Sequence, residues 1–124
     1  MHINIYNRNE FFNIPVDQII YIKAEDHYTS VYYLNGTRVL ISIGLTRFCK
    51  ILSESIDFDS LFITAGRSYV ISVSHINFIN IPKEIMAFNS TVGKLFTISM
   101  PKTRLRILTD ELKKRSGVKY EMKE

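Results

Sequence analysis

A single cysteine, Cys49, stands among 124 residues, so no internal disulfide can form. That scarcity fits a reducing cytoplasm. It also argues against a zinc set, because His2, His27 and His75 are scattered without the paired spacing that metal ligands need. Phosphate-cradling patterns are missing as well: neither GxxxxGK[S/T] nor GxGxxG occurs. No apolar run approaches the roughly 20 residues of a membrane span. The opening segment, MHINIYNRNE, lacks the apolar stretch of a secretion signal. No internal repeat, low-complexity tract or linker interrupts the chain. These absences indicate no cofactor, metal, membrane or small-molecule substrate. They point to one cytoplasmic domain over residues 1–124, long enough to bury a single core.

The net charge is +4, and its distribution says more than its size. From Lys94 onward there are nine basic residues against four acidic, leaving the preceding part close to neutral at −1. A basic end on a neutral body reads either as a phosphate-binding footprint or as a solvated helix and tail. Glu25, Asp26 and His27, with Ser30 nearby, could be imagined as an acid/base group with a nucleophile. Adjacent strand residues alternate faces, however, so such a local run makes a poor catalytic constellation. Glu25 and Asp26 read more simply as polar turn residues, and no enzyme is expected.

The main structural signal is short β-type runs broken by turn residues. Residues 2–6 alternate, and Ile14, Pro15 and Val16 lead into an apolar run at 19–22. Residues 28–34 are rich in aromatic and β-branched side chains, which suit a pleated surface. Asn35-Gly36 follows, the pair most tolerant of the two positive φ angles of a type I′ turn, and 37–42 completes a hairpin. Over residues 44–55 the period changes. Leu45, Phe48, Cys49 and Leu52 share one helical face, with Cys49 a small core residue. Strands resume at 62–63, 68–72, 76–79, 85–88 and 95–99, with a turn at 89–93. Pro101 suits the start of a helix. Leu105, Leu108 and Leu112 carry that helix to about Arg115, and a polar tail over 116–124 is expected to fray. The expected fold is mostly β, with packed antiparallel sheets, one central amphipathic helix and one C-terminal helix.

From about Ile14 to Arg115 the order of these pieces resembles the LytTR DNA-binding domains of bacterial transcriptional regulators. The run Ile19-Ile20-Tyr21-Ile22 enters the acidic turn at Glu25-Asp26, then Tyr28 and a hydrophobic strand that ends at Asn35-Gly36. The amphipathic helix follows, then Phe62, then Arg67-Ser68-Tyr69-Val70-Ile71, then the strand around Ile76 and Ile79. Ile98-Ser99 precedes Lys102 and Arg104. The resemblance implies packed antiparallel sheets whose loops enter successive major grooves of double-stranded DNA, reading tandem repeats. A homodimer on DNA is compatible with this.

Carried over by position, the resemblance implies three contact loops. The first holds His27, Tyr28 and Thr29; Tyr28 is either a contact or a core aromatic with its hydroxyl at the rim. The second holds Gly66, Arg67 and Ser68. Arg67 could fork onto a guanine or a phosphate, while Ser68 reads as a structural hydroxyl bonded to nearby backbone. The third holds Lys102 and Arg104, expected on phosphates. Some positions depart from the family pattern. Thr64 and Gly66 stand where basic or His side chains are frequent, Ile71-Ser72 replaces Val-Asn, and Pro101 replaces a basic residue. Those departures favour an alternative, a LytTR-like protein-interaction module that has lost DNA binding. Most such regulators of two-component systems also carry a receiver domain; this sequence has none, so a free-standing domain or a fragment of a response regulator is expected.

Overall fold

The computed structural model describes residues 1–115 and 117–122. Its centre is a five-stranded antiparallel sheet in the order β5-β4-β3-β7-β6. These strands are β3 (Ile19–Glu25), β4 (Tyr28–Tyr33), β5 (Arg38–Ile41), β6 (Phe62–Ala65) and β7 (Tyr69–Ser72). The apolar run at the start of β3 is explained by its place at the middle of this sheet, where a strand is covered on both faces. A β-bulge between Ile19 and Tyr21 divides that run between the two sides. Ile19 and Ile22 enter one core cluster, while Ile20 and Tyr21 join the other.

One face is covered by α1 (Leu45–Ser55) and by the hairpin of β1 (His2–Tyr6) and β2 (Phe11–Pro15). Within α1 the predicted stripe holds: Phe48 and Leu52 are fully buried, with Leu45 and Cys49 half-buried against the same cluster. Burial raises the Cys49 thiol pKa, as expected of a core thiol. The other face meets a three-stranded sheet, ordered β10-β9-β8, and the helix α3 (Lys102–Lys114). That sheet consists of β8 (Ile76–Asn80), β9 (Ile85–Phe88) and β10 (Phe96–Ser99). Met86, Phe88, Leu105 and Leu108 fill the space between the layers. A one-turn helix α2 (Phe58–Leu61), too short to leave a periodic trace in the sequence, links α1 to β6.

Two sequence expectations need correction. The Asn35-Gly36 hairpin is not a type I′ turn, because only Gly36 has positive φ, at +87°. Tyr33 N–H donates to the Thr37 carbonyl and Gly36 N–H to the Tyr33 carbonyl, which makes a three-residue loop ending in a left-handed glycine. Asn35 contributes through its side chain, which accepts the Thr37 N–H at 3.0 Å. The connection expected at 89–93 runs on to residue 95, since β9 and β10 pair only from Phe88 and Phe96. In the expected tail, residues 117–122 lie outside regular secondary structure, and Ser116, Lys123 and Glu124 fall outside the described residues.

Candidate nucleic-acid interface

Strand direction decides which loops meet. β3 and β4 pair through Glu25 and Tyr28, which leaves Asp26 and His27 as a two-residue turn. Only the first of them, Asp26, has positive φ, at 58°, the pattern of a type II′ turn. β7 runs antiparallel to β3, with Lys23 opposite Tyr69. The β6–β7 turn (residues 66–68) therefore emerges at the same end of the sheet, about 10 Å from the first turn at two strand spacings. The Ala24 N–H donates to the Ser68 carbonyl at 2.8 Å and closes the gap between them.

The start of α3 comes to the same edge. The α3 C-terminus is fixed at the far end of β6, where the Arg115 guanidinium donates to the carbonyls of Asp59 at 2.9 Å and Phe62 at 3.3 Å. At the near end, a Cβ added to Gly66 would lie 2.4 Å from Arg104 Cζ, so the Arg104 guanidinium rests on the β6–β7 turn. The second and third candidate loops are thus one patch. A further turn adjoins it: the Glu84 carbonyl accepts the Met100 N–H at 3.1 Å, which brings the β8–β9 turn, with exposed Lys83, next to Pro101 and Lys102. Lys83 was not singled out from the sequence. Its turn is readable there, but its proximity to Lys102 arises only from sheet pairing.

The candidate residues differ in what they present. His27 is almost wholly exposed, its ring 3.7 Å from the Asp26 carboxylate. Tyr28 is 47% exposed and so lies at the surface rather than in the core. Thr29 is fully buried, and its hydroxyl donates to the Ile43 carbonyl at 2.9 Å; it ties β4 to the entrance of α1 and offers nothing to a partner. Arg67, Lys102 and Arg104 are exposed, and among the described residues none has a carboxylate partner. Ser68 is exposed, and its tie to the sheet runs through its carbonyl rather than the expected hydroxyl bond. Ser30 is fully buried and accepts the Arg38 Nε–H at 3.0 Å, inside the sheet and away from the turn at His27.

The basic C-terminal quarter does not form one footprint. Lys94 lies in the β9–β10 loop, which is tied through the Thr91 N–H to Leu34 at the opposite end of the central sheet. Lys113 and Lys114 are in the last turn of α3, roughly 16 Å along the helix from Lys102 at 1.5 Å per residue. Of the family departures, Thr64, Gly66 and Pro101 are exposed on or near the loop edge. Ile71 and Ser72 are buried at the far end of β7 and belong to the core.

Fold and edge together define a mostly β module with turns and the start of one helix along one margin that carries exposed cations. The model of the LytTr DNA-binding domain family matches residues 9–106. The chain belongs to this family of DNA-binding domains. Among solved structures, it is similar to the LytTr DNA-binding domain of a protein described as a methyl-accepting/DNA response regulator from Bacillus cereus. That likeness has a TM-score of 0.58 at 18% identity and covers 90% of this chain and 95% of the other. No curated protein matches the sequence. Among the described residues, no helix is long and apolar enough to cross a membrane.

Proposed function

We propose that this domain binds double-stranded DNA sequence-specifically through the edge formed by the β3–β4 turn, the β6–β7 turn and the start of α3, and that it regulates transcription in a bacterial cytoplasm. One observation carries the reading. Exposed His27, Arg67, Lys102 and Arg104, drawn from three distant parts of the sequence, share one margin on which the three cations have no carboxylate partner among the described residues. In this reading His27, Tyr28 and Arg67 face the major groove, where donors and acceptors distinguish the base pairs. Lys83, Lys102 and Arg104 hold the flanking phosphates and fix the register. The spacing of the two turns, about two strands, is close to the roughly 12 Å width of the major groove. Gly66 comes into the contact set as backbone, and Thr29 and Ser68 act as supports. Tandem repeats in the target would be met by two copies side by side on DNA. The domain's work is binding, with no reaction of its own.

Salt dependence tests this directly. If Lys83, Lys102 and Arg104 each neutralise one phosphate, log K for a generic duplex falls with log salt at a slope of about −2.7. Selecting bound sites from random duplexes should also return a preferred sequence. Absence of binding even at low salt would overturn the reading in favour of a protein-interaction module.

A further inference from the structure

We propose that Gly66 is a positioning residue, one that lets Arg104 lie across the β6–β7 turn so that Arg104 and Arg67 close on a single DNA phosphate. This rests on the DNA-binding reading and moves Arg67, there facing the major groove, to the backbone of the duplex. Gly66 sits at φ +65°, the left-handed region that side chains disfavour. A Cβ there would stand 2.4 Å from Arg104 Cζ and 2.6 and 2.7 Å from its two terminal nitrogens. Similar distances to all three atoms mean that the guanidinium sits squarely over the bare backbone. Leu105 and Leu108, buried in the core beneath, hold the start of the helix at this turn, so a Cβ on Gly66 would push aside the flexible end of the Arg104 side chain rather than the helix. Arg67 is the next residue in the chain, so its side chain starts one backbone step from the Arg104 head group. Neither arginine has a salt bridge or side-chain hydrogen bond among the described residues. Both guanidinium groups are unpaired and both are carried at this one turn, so an anion with several acceptor oxygens bound there can accept donors from both. A phosphate of the duplex is the anion that the proposed function supplies.

The test is a double-mutant cycle on affinity for a generic duplex. Gly66→Ala should displace the guanidinium and weaken binding by about tenfold, the order expected for one charge-assisted contact. In an Arg104→Ala background the same change should cost less than twofold, since nothing remains to displace. Equal losses in both backgrounds, or parental affinity for Gly66→Ala, would overturn the proposal. Gly66→Asn, better tolerated at positive φ yet still carrying a Cβ, replaces Gly66→Ala if the latter melts early. A second arm leaves Gly66 untouched. Removing both Arg67 and Arg104 should lower the salt slope by about 1, as for one shared phosphate, and a fall of about 2 would mean separate phosphates and overturn the clamp. A parent that binds no duplex at low salt would overturn the DNA-binding reading and the clamp with it. A parent that binds, with Gly66 and Arg104 uncoupled, would overturn the clamp alone.

Discussion

Thr29 and Arg67 stood together as contact candidates, yet they have opposite surroundings. Thr29 is sealed between β4 and the entrance to α1, its hydroxyl committed to Ile43. Thr29→Val keeps the branched shape and removes that bond, so it should destabilise the domain by about 1–2 kcal/mol in chemical denaturation. Duplex affinity of the folded protein should stay within about twofold of the parent, since in this reading the hydroxyl touches no DNA. Arg67 projects from its turn, so Arg67→Ala should leave the melting temperature alone. A phosphate contact predicts weaker binding to preferred and random duplexes alike, with a shallower salt slope; a base contact predicts loss on the preferred site only. The sequence could not separate these two residues. Strand alternation predicts which positions share a face, but burial at Thr29 depends on α1 arriving over β4, a non-local event.

Among the elements, α3 shows how one helix divides its charges between two tasks. Its C-terminal Arg115 holds backbone carbonyls at the start of β6, while its N-terminal Arg104 rests on the turn at the end of that strand. Arg115→Ala should therefore lower stability by about 1 kcal/mol and hardly change the salt slope, whereas Lys102→Ala should do the reverse. Paired thermal melts and salt titrations on the two variants check this. α1 was legible from its apolar period alone, because Phe48 and Leu52 at helical spacing admit one buried face. Truncating Phe48 to Ala should cost about 3–5 kcal/mol, as for a fully buried aromatic. The hairpin at Asn35-Gly36 was legible as a hairpin but not in its type. Asn35 tolerates positive φ without requiring it, and here its side chain caps Thr37 instead.

Across the whole molecule, titratable groups between the layers give the fold an alkaline limit. Burial raises the pKa of Tyr21, with the neighbouring Tyr32 and Tyr69 adding to it, and burial alone raises those of Tyr33 and Cys49. The unfolded chain ionises these groups first, at the ordinary values of 9.0 for the thiol and 10.0 for the phenols. Their contribution to stability is present in full below that range and is lost as pH rises through it toward the higher folded values. Denaturation midpoints should hold from neutral pH to about 9 and then fall; a midpoint constant to pH 11 would contradict this placement. By itself the sequence determined the β-rich class, the two main helices, the order of pieces that marks the family and the place of the Asn35-Gly36 hairpin, because periodicity and turn chemistry are local. Tertiary structure alone decided which turns share an edge, that Thr29 is inside, that Lys83 joins the margin and Lys94 does not, and that Arg104 lies on Gly66. Those facts depend on antiparallel pairing and layer packing between residues distant in the chain, and no local pattern encodes such distances.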